Sequence, residues 1–326
     1  MTHPDEALFA GERVAPAIAA CEHYAGTEAR LRKALALQDE LPFDLTGDCE
    51  DGAPAGREAE HVAMVADLVA SADNRHGQMG VRVHDPAHTH GASDIDAVLD
   101  RAGDRVAHLT IPKVVSADQL ARTIDHVREG AARRGLARAI PLHVLIETHG
   151  ALAEVWCIAA LPWLRVLDFG LMDFVSAHGG AIPASALRSP GQFTHPLMVR
   201  AKAEIAAAAH AHALVPSHNV CLELSDRVRI AADAEQARAF GFTRMWSIHP
   251  AQIAPIVAAM QPDHGDVALA AAVLLKAQAA AWGPVRHDDE LHDRASYRLY
   301  WTLLQRARAT GVALPSAAEQ AFFTQP

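Results

Sequence analysis

The hydrophobic residues of this chain fall into short runs that stop at polar or acidic residues, and longer stretches with helical spacing lie between the runs. Two runs set the pattern. Pro141-Leu142-His143-Val144-Leu145-Ile146 ends at Glu147-Thr148, and Leu164-Arg165-Val166-Leu167-Asp168-Phe169 continues through Gly170-Leu171-Met172 to Asp173. A parallel strand buried on both faces reads as such a run, and an acidic residue just past its end sits at the rim of the sheet. A helical segment, Gly150 to Leu161, separates the two.

The same alternation extends along the chain. Val14 to Ala20 is the predicted first strand, leading to Cys21-Glu22-His23-Tyr24, and a helix over Ala29 to Gln38 follows Thr27. Phe43-Asp44-Leu45-Thr46 is the second strand, followed by a turn crowded with carboxylates, Gly47 to Gly52, and a helix over Gly56 to Ala70. Gly80 to His84 and His108 to Lys113 are the third and fourth strands, with helices opened by Ser93 and Ser116, both good caps. The two runs above are the fifth and sixth. Ser176 to Gly191, rich in Gly, Pro and Ser, reads as a long active-site loop before a helix over Leu197 to Ala213. Leu214 to Ser217 and Arg244 to His249 complete the strands, with helices over Asp233 to Phe240 and after Pro250. Eight strand–helix units predict a (β/α)8 TIM barrel. A doubly wound open sheet would bring a G-x-G-x-x-G turn, and neither that nor a P-loop occurs.

After Met260 the texture changes. Asp266 to Trp282 is apolar on most sides and Asp289 to Thr310 is amphipathic, so the pattern divides the chain into a barrel over residues 1–260 and a C-terminal helical extension over 261–326. A helix apolar nearly all round must be buried. Its cover is expected to be the barrel or another subunit, which points to a homo-oligomer.

Composition narrows the function. Half of the 326 residues are hydrophobic, enough for a large core, and the formal net charge of −10 without any basic run argues against a nucleic-acid partner. The four cysteines (Cys21, Cys49, Cys157, Cys221) show no CxxC spacing, the pattern of reduced thiols. The N-terminus lacks the profile of a signal peptide, and the longest apolar run, Val267 to Trp282, is too short to span a bilayer. A soluble, cytoplasmic protein is expected.

The chemistry is read from the strand ends. Glu147 and Asp173, past neighbouring strands, point into one mouth, and oxygen-only ligands of that kind suit Mg²⁺ or Mn²⁺. The competing reading is a pair of carboxylates that cap the following helices. Arg82 at a strand end is a natural clamp for a substrate carboxylate, or else a rim salt bridge with Glu50, Asp51 or Asp85. Glu50 and Asp51 are adjacent, so in an extended segment at most one faces the metal. Lys113 either neutralises substrate charge or, if desolvated, serves as a Schiff-base lysine. Of the twenty histidines, His84, His88, His90, His210 and His212 read as surface residues, while His23 and His249 sit at strand ends.

Taken in order, Asp48-Cys49-Glu50-Asp51-Gly52, Val81-Arg82-Val83, Ile111-Pro112-Lys113-Val114, Ile146-Glu147-Thr148, Phe169-Gly170-x-x-Asp173 and Gly241-Phe242-x5-Ile248-His249-Pro250-x-Gln252 resemble the HpcH/HpaI aldolase and citrate lyase β-subunit-like superfamily over Phe43 to Met260. The resemblance implies a TIM barrel that uses Mg²⁺ to make or break a carbon–carbon bond beside a carboxylate, in many members with a CoA thioester. It implies Glu147 and Asp173 as metal ligands, Arg82 as the carboxylate grip and Glu50 with Asp51 as an acidic dyad. Lys113, Gly170, Arg82 and Glu147 are then candidate substrate-binding residues, and a trimer or hexamer is the implied assembly. The chain departs from the family in three places. Ala17 to Tyr24 replaces an Arg-Ser-x-Leu-Phe-x-Pro strand, His84 stands where Asn is usual, and Trp282 to Asp289 replaces a Gly-x-Met-Ile-Asp segment.

The expected function is therefore a metal-dependent carbon–carbon lyase acting on a 2-oxo or 2-hydroxy acid or its CoA thioester. The alternatives are an acyl-CoA thioesterase, a malate-synthase-like condensing enzyme, and a barrel that binds acids without turnover.

Overall fold

The structure is a computed structural model that describes residues 2–324. Eight parallel strands close into a barrel in chain order: β1 (Cys21–Ala25), β2 (Asp44–Asp48), β3 (Met79–Arg82), β4 (Leu109–Ile111), β5 (Leu142–Ile146), β6 (Leu164–Phe169), β7 (Val215–His218) and β8 (Arg244–Ser247). Helical segments follow every strand, so the fold is a (β/α)8 TIM barrel. Ser116 caps its helix as expected, its hydroxyl accepting from the Gln119 amide at 3.1 Å. The segment after β5 forms two short helices, His149–Ala153 and Val155–Ala159. The expected long loop carries a 3-10 turn, Ala184–Leu187, and a short helix, Gly191–Thr194.

The first strand lies later than expected. Val14 to Ala20 is not a strand, and β1 instead uses Cys21-Glu22-His23-Tyr24-Ala25, a sequence that looks too polar for a buried strand. The reason lies inside the barrel. Side chains on one face of a strand recur every second residue, and on this face Glu22, Asp44, Thr46, His108, His143 and Arg244 replace the branched apolar layer usual in such barrels. Glu22 Oε2 accepts from Arg244 Nη2 at 2.5 Å and Nε at 3.1 Å, and its Oε1 accepts from Thr46 Oγ1 at 2.6 Å. Arg244 Nη1 donates to Asp44 Oδ2 at 2.5 Å. His108 and His143 stack with ring centroids 3.8 Å apart, both beside Glu22. Gly80 makes room, since a Cβ there would lie 2.3 Å from the His108 ring. None of these core histidines stood out in the sequence.

Asp168 on β6 is wholly buried and accepts from Trp246 Nε1 at 2.5 Å. Burial, reinforced by the charge of Glu22, pushes its carboxyl from 3.8 up to about 8. Between those values the unfolded chain releases a proton that the folded chain keeps, so this group lowers stability progressively as pH rises from about 4 to about 8. Asp168→Asn preserves the acceptor for Trp246 and removes the titration. Its thermal midpoint is expected to gain on wild type between pH 5 and pH 8 by at least about 2–4 °C, the equivalent of about 1 kcal/mol. A gap that stays constant with pH would show that Asp168 is ionised in the fold.

The chain divides into two compact units, one spanning Cys21–Met260 and the other combining the residues up to Ala20 with those from Gln261 onward. The first twenty residues, assigned to the barrel by the sequence pattern, thus group with the C-terminal segment. In that unit the helix His264–Ala279 packs on the helix Arg294–Ala309 through Val267, Leu274, Tyr297, Trp301 and Leu304. A helical turn near the start of the chain, Asp5–Phe9, inserts Leu8 into this core. Arg294 and Arg298 donate to the Leu8 carbonyl at 2.6–3.0 Å, and Trp301 Nε1 donates to Asp5 at 2.6 Å. The apolar helix therefore finds its cover within its own unit. The single helix expected over Asp289 to Thr310 is preceded by a hairpin, Val285–His287 with Glu290–His292, turned at Asp288 and Asp289 with positive φ.

Candidate active site

The strands deliver the site by the same every-second-residue rule that builds the core. Two positions beyond Glu22, Thr46, Gly80 and Arg244 come Tyr24, Asp48, Arg82 and Trp246, and on β5 the face of His143 continues through Leu145 to Glu147. These residues meet at the C-terminal ends of the strands, the end of a TIM barrel where loops carry chemistry. They line a cavity of about 320 Å³. Its charged lining is Asp48, Asp51, Arg82, Glu147 and Asp173, and its apolar lining includes Tyr24, Leu145, Phe169, Val220, Leu222 and Trp246. Tyr24 stacks on Trp246 with ring centroids 4.3 Å apart, and both pack with Leu145 in one small buried cluster.

Arg82 is aimed by Asp48, which ends β2 where the pattern predicts only the carboxylate turn Gly47 to Gly52. Asp48 accepts from Arg82 Nε at 2.8 Å and Nη2 at 2.6 Å, and from the backbone amides of Glu50 and Gly52 at 3.0 and 2.9 Å. Glu50 pairs with Arg82 Nη1 at 3.0 Å. Burial works against the Arg82 charge, yet Asp48 and Glu50 outweigh it and hold the guanidinium protonated. Of its two expected roles Arg82 thus makes the rim salt bridge, with Nε and Nη2 hydrogen-bonded to Asp48 and Nη1 facing Glu50 as an ion pair. Of the other two expected partners, Asp51 pairs with Lys113 and Asp85 accepts from the Ala87 amide.

Glu147 is buried, with 2% of its surface exposed, and its Oε1 accepts from the Lys113 amide at 2.6 Å. Burial and the charge of Asp173 push its carboxyl up to about 8. Its Oε2 lies flat over Gly170, where an added Cβ would fall 2.0 Å away. Glycine at 170 is thus a packing requirement of Glu147. Lys113 Nζ reaches Glu50, lies 3.0 Å from both carboxylate oxygens of Asp51, and is 4.0 Å from Asp173. Burial opposes its charge, and the bond to Glu50 overrides that and keeps it protonated. A Schiff-base role needs a neutral amine, so this geometry argues against it. Glu50 and Asp51 meet on Lys113, with Glu50 buried and Asp51 exposed.

The two histidines expected at strand ends differ in setting, His23 buried and His249 exposed. His23 Nδ1 and Ser247 Oγ are 2.7 Å apart, and burial lowers the His23 pKa to about 4. His249 accepts from the Ala251 amide at its helix start. His84, by contrast, is largely covered and bonds Asp94 at 2.6 Å.

Two places hold metal-type donors. Among the described residues, Glu22, His108 and His143 bring three ligand atoms within 4.8 Å of one another. The two imidazole planes are parallel to within 7° and stacked, however, so no ion can lie in both ring planes where the nitrogen lone pairs point. Arg244 already supplies Glu22 with a positive charge. At the mouth, five carboxylates (Asp48, Glu50, Asp51, Glu147, Asp173) face two cations, Arg82 and Lys113. That oxygen-rich excess of negative charge fits a hard divalent cation.

Residues 39–250 match the HpcH/HpaI aldolase/citrate lyase family. The chain is 27% identical over 231 residues to an L-malyl-CoA/β-methylmalyl-CoA lyase of Rhodobacter capsulatus, covering 67% of this chain and 73% of that one. It is 27% identical to a citrate lyase subunit beta-like protein of Deinococcus radiodurans, covering 75% and 81%. A crystal structure of a citrate lyase from Burkholderia xenovorans superposes with a TM-score of 0.83 at 50% identity, covering 99% of this chain and all of that one. The CitE protein of Mycobacterium tuberculosis, solved with magnesium, acetoacetate and coenzyme A, shares the fold with a TM-score of 0.66 at 23% identity, covering 90% and 99%.

Proposed function

The chain belongs to the HpcH/HpaI aldolase/citrate lyase family and is a carbon–carbon lyase, and from that premise we propose that it cleaves a 2-oxo or 2-hydroxy acid, or its CoA thioester, with Mg²⁺ or Mn²⁺ held by Glu147 and Asp173. The observation that carries this reading is the mouth itself: a buried carboxylate seated on Gly170, a second carboxylate whose charge it feels, and an uncompensated negative excess around them. A divalent cation bound there supplies Lewis acidity, stabilising the negative charge that develops as the bond breaks.

The chain's own residues do the rest. Arg82, fixed by Asp48 and Glu50, offers its remaining N–H groups to the substrate carboxylate as a planar fork. Glu50, raised from its ordinary range chiefly by burial, takes the hydroxyl proton directly or through a water. The Tyr24–Trp246 wall excludes water from the carbon skeleton. The malyl-CoA lyase relative supports a thioester, and four free cysteines support a reducing cytoplasm. Among the described residues no helix is long and apolar enough to cross a membrane. Exposed Leu291 and Leu299 support the homo-oligomer.

Incubation with malyl-CoA tests the reading by mass spectrometry. Glyoxylate with acetyl-CoA, formed with Mg²⁺ and abolished by EDTA, is expected. Free CoA with malate would instead establish the thioesterase, and products unaffected by EDTA would remove the metal from the mechanism.

A further inference from the structure

We infer that the Lys113 ammonium is a built-in stand-in for the metal: it holds the acidic mouth together when no divalent cation is bound and gives way when one arrives. This inference rests on the reading that Glu147 and Asp173 take such a cation.

Lys113 touches the mouth in two ways. Its backbone amide holds Glu147 Oε1 at 2.6 Å, and its ammonium sits among Glu50, Asp51 and Asp173. Both contacts depend on an unusual backbone. Lys113 has φ +50°, the left-handed region that residues with a Cβ avoid, and such strain persists only where surrounding contacts impose it. The conformation aims the amide into the site and the side chain across it.

The side chain is suited to a temporary post. It is a point charge on a flexible stem, unlike the planar fork of an arginine, and 30% of it is exposed. Asp51, its outermost partner, is 57% exposed, so the Lys113–Asp51 pair has room to swing toward solvent without breaking. Glu50 stays behind, held by Arg82. A single positive charge is thus shared by three carboxylates in the place where two charges would satisfy them better. While it stays there it repels an incoming cation, and once displaced it remains near enough to meet an anionic substrate.

The test is Mg²⁺ titration by calorimetry of the full chain, with thermal midpoints measured with and without Mg²⁺. Lys113→Met keeps the backbone amide and removes the charge. It is expected to bind Mg²⁺ at least tenfold more tightly than wild type, to melt lower without metal, and to show a larger Mg²⁺-induced rise. Lys113→Arg keeps the charge and is expected to bind Mg²⁺ within about threefold of wild type; tightening equal to that of Lys113→Met would overturn the charge argument. Should Lys113→Met fail to fold without metal, Lys113→Gln serves in the same comparison. Equal or weaker Mg²⁺ affinity in the neutral variants overturns the inference and leaves the metal site standing. Absence of Mg²⁺ binding in every protein overturns the metal reading and the inference with it.

Discussion

Glu147→Gln is expected to lower turnover by about a thousandfold or more and to abolish Mg²⁺ binding while leaving the metal-free fold intact, and Asp173→Asn is expected to do the same. The expectation is asymmetric for a physical reason. Glutamine keeps the acceptor for the Lys113 amide and the flat seat over Gly170. It replaces a carboxyl that burial and Asp173 already hold up to about 8, so the metal-free protein loses no stabilising charge. What disappears is the anionic ligand, and metal binding is coupled to deprotonation of its ligands. Mg²⁺ affinity in wild type should accordingly strengthen as pH rises toward 8, and in Glu147→Gln that dependence should be absent. Steady-state kinetics, calorimetric Mg²⁺ titration and the thermal midpoint in EDTA check the three parts. A Glu147→Gln protein that turns over within tenfold of wild type would show that the residue does not hold the metal.

Arg244→Met is expected to cost about 3–5 kcal/mol of stability, because it strands Glu22 and Asp44 in the barrel core without their counter-charge. In a unit of this size that is a fall of roughly 6–20 °C in thermal midpoint. The double variant Glu22→Leu with Arg244→Met removes the central charged pair together. It should be less destabilised than Arg244→Met alone, since a buried ion pair often exchanges for apolar side chains at little cost. Chemical denaturation of both proteins measures the difference. A single variant within about 1 kcal/mol of wild type would show that the network carries no such burden.

How far the sequence could be read follows from the same barrel interior. The strand–helix alternation is legible because apolar runs and helical spacing have different periods. The first strand is not, since Glu22 and His23 look like a strand end until Arg244 and Ser247, more than two hundred residues away, are placed beside them. His108 and His143 were hidden for the same reason: a polar residue inside an apolar run signals nothing unless its partners are known. At the candidate site, Glu147 and Arg82 are legible as residues that close a strand, and Asp173 as an acid in the first helical turn after one. Asp48 is not, because it shares a turn with Glu50 and Asp51 and only the register of β2 separates them. Counting by twos from Thr46 was the available signal. Lys113 illustrates the limit, since its left-handed backbone, which brings amide and ammonium into one mouth, leaves no trace in residue type.

Crystals soaked with Mn²⁺ and pyruvate, examined at the manganese absorption edge, address the central claim most directly. One anomalous peak is expected within coordination distance of both Glu147 and Asp173, with Lys113 Nζ displaced from its present position. A peak beside Glu22, His108 and His143, or no peak at the mouth at saturating Mn²⁺, would contradict it.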